Sequence, residues 1–197
     1  LKMDNLIHPF PCPIYQNIID KKSFSQIQQD TDNFINNNNN LFKKPSSWLC
    51  DTFSTIETPI EKNINSKILK EKIKFYVEEY LKFWDWDTSF LIKMKDCWVN
   101  IAKKGSFQEE HNHSSCLISG VIYINVNQQS GNFQLMNPLS SESILLGEPK
   151  NFGNVYNINP QPGMIILFPG WMAHRALPSE SNIDRISISF NIISKYN

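Results

Sequence analysis

His111 and His113 stand two places apart in "EEHNHSSCLISGVIYIN", residues 109–125, at the front of a run that otherwise reads as a buried strand. In an extended strand, residues i and i+2 project from the same face, so the two imidazoles can point together at one ion. Neutral imidazole is the commonest side-chain ligand for metals such as iron and zinc. An isolated pair of this kind is as readily two surface histidines, so the weight falls on what else the chain supplies. Of the two remaining histidines, His8 lies in a proline-rich start and His174 follows an apolar run in "MIILFPGWMAHRALP". A sheet of jelly-roll type can bring the end of that run beside the strand opened by His111, closing a three-residue facial site and leaving the opposite face of the metal open. Glu109 is an alternative to His113 as third ligand, because it shares the strand face with both histidines if the strand starts that early.

Eleven residues after His174 comes Arg185, with Ser187 two places on. On a strand the two share a face, and a guanidinium with a neighbouring hydroxyl makes a two-pronged clamp for a carboxylate; a structural arginine in a surface ion pair is the plain alternative. Tyr123 could add a hydrogen bond from the strand that follows the histidine pair, although core packing explains it equally well. Trp98 and Asn100 share one face of the preceding run and are candidates to line a pocket, Asn100 because a buried amide needs a partner. Gly120 marks either a close backbone approach or a bulge. Trp171 is read as packing the turn before His174, and Cys116 as inert core.

The elements that must carry these residues are mainly β. After Asp87 come short β-type runs broken by turn residues, FLIKMKDCWVNIAKKG, CLISGVIYINV, GNFQLMNP, NVYNINPQPG, MIILFPG and DRISISFNII. Five or six strands without an intervening helix predict an antiparallel sandwich or barrel. In the last run Arg185, Ser187, Ser189 and Asn191 alternate with Ile186, Ile188, Phe190 and Ile192, so one face is polar and one apolar. Before Asp87 the chain reads as support. Residues 8–19 predict an extended entry strand, and a helix is expected from Asp20 to about Phe34 with Ser23 as its N-cap, ended by a loop at Asn36 to Asn40. A second helix is expected over 61–84, where Leu69, Ile73, Tyr76, Val77, Tyr80 and Trp84 recur on one face. Leu139 to Asn154 has no clear period and reads as a long lid or binding loop.

With 197 residues the length favours one domain over 1–197, with extended and helical support in 1–87 and the β core in 88–197. Nineteen basic and nineteen acidic residues balance, so no basic stripe draws a nucleic acid and no polybasic patch draws a membrane. No apolar stretch is long enough to span a bilayer, and the start LKMDNLIHPF lacks a signal-peptide layout, which leads us to expect a soluble cytoplasmic protein. Cys12, Cys50, Cys97 and Cys116 form no CxxC pair and are expected to be free buried thiols. Edge strands and the apolar N-terminal segment leave a homodimer open.

Taken in order, HxH, strand, long loop, "PQPGMIILFPGWMAHRALP" and "RISISFNI" resemble a largely uncharacterised branch of the 2-oxoglutarate- and Fe(II)-dependent oxygenases; "HPFPCPIYQ" and "CWVN" fit that branch too. The resemblance implies a double-stranded β-helix (jelly-roll, cupin-like) core with flanking helices. It implies ferrous iron on His111 and His174, and 2-oxoglutarate chelating that iron with its far carboxylate on Arg185, assisted by Ser187. It implies dioxygen as oxidant and hydroxylation of a small molecule or a protein side chain. The wider superfamily carries HxD where this chain has His113, so an all-imidazole centre would bear one more positive charge. Two other readings stay open: a three-histidine cupin-like dioxygenase that uses no 2-oxoglutarate, and a jelly-roll module that binds a metal or ligand without turnover.

Overall fold

Asp20 starts the first helix: its carboxylate accepts the backbone N–H of Ser23 at 3.0 Å, and α1 runs Lys21–Asn37. Ser23 is therefore the capped residue and not the cap, because the donor that needs satisfying lies three positions inside the helix. The asparagine run is not a plain loop, since Asn36 and Asn37 close α1 and a 3-10 turn follows at Asn39–Leu41. The second helix, α2, spans Lys67–Phe83, with the Ser66 hydroxyl accepting from Leu69 N at 3.3 Å. It starts later than its composition suggests, and residues 61–66 form a turn and the approach to that cap. Leu69, Ile73, Tyr76, Val77 and Tyr80 are buried as their spacing requires, whereas Trp84, at the C-cap, is exposed.

These features belong to a computed structural model that describes residues 12–85, 91–138 and 154–195. Residues 8–11 of the expected entry strand and 139–153 of the expected lid lie outside them. The strands are β1 Tyr15–Ile18, β2 Thr52–Ser54, β3 Leu91–Ala102, β4 Gln108–His111, β5 Ile118–Asn125, β6 Phe133–Met136, β7 Val155–Ile158, β8 Met164–Pro169, β9 His174–Ala176 and β10 Arg185–Lys195. Among the described residues β1 answers to the expected entry strand, and eight strands, β3 to β10, follow Asp87 where five or six were read; β4 and β9, and β2 before them, are three or four residues long and carry too little pattern to register.

The strands form two antiparallel sheets, ordered β1-β8-β5-β10-β3-β2 and β4-β9-β6-β7. The expected jelly roll is the four-strand unit β8-β5-β10-β3 facing the smaller sheet, with β1 and β2 extending the larger one. One face of the larger sheet packs Val99, Ile122, Ile165, Leu167, Ile188 and Phe190 against the helices. Its other face packs Val121, Tyr123, Met164, Ile166 and Phe168 against Phe133, Leu135 and Ile158 of the smaller sheet. Burial on both faces explains why β8 reads as six consecutive apolar positions, all buried. Gly120 serves close approach: a Cβ there would lie 2.3 Å from the Phe190 ring. Cys50, Cys97 and Cys116 are free and buried as expected, while Cys12 is exposed. Among the described residues no helix is long and apolar enough to cross a membrane.

Candidate active site

The antiparallel pairing of β4 with β9 sets His111 directly opposite His174. Their rings lie 4.3 Å apart between centroids, as cross-strand neighbours on one face should. His111 Nδ1 donates to the carbonyl of Glu109 at 2.7 Å and His174 Nδ1 to that of Met172 at 2.9 Å. Each bond places the proton on Nδ1 and leaves the Nε2 lone pair for a ligand, the arrangement metal-binding histidines use.

His113 arrives by a different route from the one expected. It lies beyond the end of β4, so strand alternation does not carry it, and His111 closes a strand of the smaller sheet instead of opening β5. A turn supplies the position: His113 N donates to Gly170 O at 2.7 Å, Cys116 N to His113 O at 2.8 Å, and Gly170 N to Leu117 O at 3.1 Å. The turn swings the third ring to 5.1 Å from His111 and 5.3 Å from His174, and one ligand nitrogen from each of the three lies within 4.8 Å of the others. Burial, reinforced by the His111 ring, pushes His113 down to about 4 and His174 to about 3, so both are neutral near pH 7 and fit to ligate a cation.

Glu109 is not part of this cluster. One carboxylate oxygen accepts the backbone N–H of Leu49 and the other accepts Gln108 Nε2 at 2.9 Å, so the side chain is spent on tying the segment around Leu49 to β4. Among the described residues the three-imidazole cluster contains no carboxylate.

The histidines open into a cavity of about 430 Å³ between the sheets. Its floor is laid out by register: Arg185 sits opposite Ala102, Ser187 between Asn100 and Tyr123, and Ser189 between Trp98 and Val121. Tyr123 therefore belongs to β5 and not to the strand of the histidines, and reaches the cavity from across the gap between the sheets. Arg185 is 5% exposed. Its Nη1 donates to Ser130 O at 2.7 Å and Leu177 O at 3.1 Å, and no carboxylate lies within ion-pair distance among the described residues. Burial lowers its pKa, the mark of a cation held out of water. A buried guanidinium without a counter-ion is costly unless an anion completes it. Burial also raises the Tyr123 pKa, so its phenol stays protonated.

The structure thus brings His111, His113, His174, Arg185, Ser187, Tyr123, Trp98 and Asn100 to one cavity and leaves Glu109 out of the histidine cluster. Asn100 is engaged within the floor, accepting from Ser54 Oγ at 2.8 Å and donating to Ser189 Oγ at 3.1 Å. Trp171 does not line the cavity and is 46% exposed. Sequence reasoning missed Trp48, Leu49 and Arg175 in the lining. Arg175 follows His174 directly and could have been flagged by that adjacency; nothing local marks Trp48 and Leu49, which long-range contact alone brings here.

Residues 96–191 match the family model described as "Putative 2OG-Fe(II) oxygenase". No curated protein matches the chain. Among solved structures, a prolyl-4-hydroxylase from Pseudomonas putida aligns with TM-score 0.62 and 12% identity, covering 91% of this chain and 92% of that one. A prolyl hydroxylase from Trichoplax adhaerens, in complex with a hypoxia inducible factor peptide fragment, aligns at 0.61 and 14%, covering 92% and 82%. HygX from Streptomyces hygroscopicus, with nickel and 2-oxoglutarate bound, aligns at 0.60 and 10%, again covering 92% and 82%. At these identities the alignments establish a shared fold.

Proposed function

Because this chain is, through residues 96–191, a member of the 2-oxoglutarate- and Fe(II)-dependent oxygenases, we propose that His111, His113 and His174 hold its iron and that Arg185, Ser187 and Tyr123 hold its 2-oxoglutarate. Iron, 2-oxoglutarate and dioxygen together supply the oxidising chemistry, in which decarboxylation to succinate is coupled to hydroxylation of a substrate C–H bond. The protein's work is placement. His111 and His174 enter with their tautomers already fixed by backbone carbonyls, so little reorganisation accompanies metal binding. Arg185 is preset by two carbonyl contacts on Nη1, and its other N–H groups remain for a carboxylate. The hydroxyls of Ser187 and Tyr123 flank that position across the strand register and donate to the same group. Val121, Phe133, Phe168 and Trp98 keep the space apolar and exclude water around the reacting bond.

The observation that carries this reading is the buried Arg185, without a carboxylate partner among the described residues, in the same cavity as the three histidines. It separates a 2-oxoglutarate enzyme from a three-histidine dioxygenase without that cosubstrate, which has no use for the guanidinium. The substrate we propose is a small molecule or a protein side chain, reached through a mouth at Leu49, which is 80% exposed.

The test is anaerobic titration of the metal-free protein with ferrous iron and then 2-oxoglutarate, followed by visible absorption. A weak charge-transfer band on the second addition, lost in Arg185→Ala while iron still binds, is the expected result. Iron binding with no band would remove 2-oxoglutarate from the account and leave the three-histidine dioxygenase or the non-catalytic module.

A further inference from the structure

Among the described residues a single buried side-chain nitrogen or oxygen has no hydrogen-bond partner: Nε1 of Trp98. Trp98 is 5% exposed, lines the cavity, and packs its ring 6.1 Å from that of His113. An indole N–H can only donate, and buried donors in folded proteins are nearly always paired, so this one calls for an acceptor that the described residues do not supply.

The surrounding polar groups are already satisfied by one another. Asn100 bridges Ser54 and Ser189, Ser119 Oγ donates to Asn191 Oδ1 at 2.8 Å, and Asn191 Nδ2 donates to Asp96 at 3.4 Å. Trp98 stands outside this chain of bonds, and its place along the floor says which end of a ligand it meets. Arg185 pairs with Ala102, whereas Trp98 pairs with Ser189, four residues further along β10 and roughly 13 Å away along the strand. A diacid with one carboxylate on Arg185 thus presents its other end to the His113 and Trp98 side of the cavity.

We propose that Trp98 is a cosubstrate-binding residue at the metal end of the cavity, its indole N–H donating to the oxygen of the chelating carboxylate that the metal leaves free. This rests on the functional reading above and extends it to a residue that reading used only as an apolar wall. The pairing is charge-assisted, and a phenyl ring keeps an aromatic wall there while deleting the donor.

Trp98→Phe tests it in the anaerobic iron titration, with 2-oxoglutarate and with 2-oxopentanoate, which keeps the chelating end and lacks the far carboxylate. The expected result is a dissociation constant raised about tenfold for both ligands, with a displaced charge-transfer band. Arg185→Ala should weaken 2-oxoglutarate alone. Wild-type affinity and an unmoved band in Trp98→Phe overturn the proposal, as does a loss confined to 2-oxoglutarate. If the variant does not fold, the indole ¹⁵N–¹H resonance of Trp98 in zinc-loaded wild type decides: a downfield proton shift on adding 2-oxoglutarate is expected, and no shift overturns it. Absence of any band in the iron-loaded wild type overturns the functional reading and this one together; a normal wild-type band with an indifferent Trp98 overturns only the second.

Discussion

As a proposed ligand His113 would set the charge of the centre, because an imidazole leaves a divalent ion its full charge where a carboxylate would cancel part of it. If His113 is the third ligand, His113→Ala should weaken zinc or cobalt binding by about a hundredfold or more, beyond the ~10–100-fold that changes just outside a ligand shell produce. Glu109→Gln should stay near wild type, since an amide oxygen still accepts from Leu49. Calorimetric titration of both variants checks this, and equal losses would return Glu109 to the ligand set. A second expectation follows from burial. In the fold His113 stays neutral down to about 4 and His174 to about 3, against an ordinary 6.5 in the unfolded chain. Below pH 6.5 the unfolded state takes up protons that the fold refuses, so stability is present above 6.5 and is lost as pH falls towards 4. The thermal midpoint of the metal-free protein should drop across that window, and drop less in His174→Gln; identical profiles would show that His174 is not held neutral.

Gly170 is where an element, not a side chain, places a ligand. A Cβ on Gly170 would lie 2.3 Å from Cys116 O and 2.7 Å from His113 O, both backbone atoms that cannot step aside. Gly170→Ala should cost roughly 1–3 kcal/mol in urea unfolding and lower metal affinity with it, because the turn carrying His113 must move. Unchanged metal binding in a destabilised variant would separate the turn from the site. The same turn shows why the site was only partly legible in the sequence. The strands β8 and β10 and the helix α2 could be read because their patterns run over many residues; the alternation of Arg185 and Ser187 against Ile186 and Ile188 put the first two on the one face that lines the cavity. The segments that carry the histidines could not, since β4 and β9 have four and three residues and the turn after β4 depends on Gly170 far along the chain. Glu109, the alternative to His113, lies on β4 and lines the cavity, but its carboxylate is engaged by a partner no strand period reveals, the backbone of Leu49, 60 residues earlier. Strand period can say which residues share a face, not what a distant loop will hold.

At the scale of the whole molecule the two halves of the site ride on different sheets. His111 and His174 belong to the smaller sheet, Arg185 and Ser187 to the larger. Zinc alone should slow amide hydrogen exchange in β4 and β9, and zinc with 2-oxoglutarate should slow it in β10 as well, measurable by mass spectrometry; protection of β10 by metal alone would contradict the division. Between the sheets stands the Phe133 and Phe168 pair, one ring from each, 5.5 Å apart. The cavity therefore acts as a calliper whose jaws are β-sheets and whose setting is a tilted aromatic pair. Trimming or enlarging that pair would retune affinity for a ligand of fixed length, and because both rings also pack against His174, at 5.6 and 4.6 Å between centroids, the histidine end would feel the change as well.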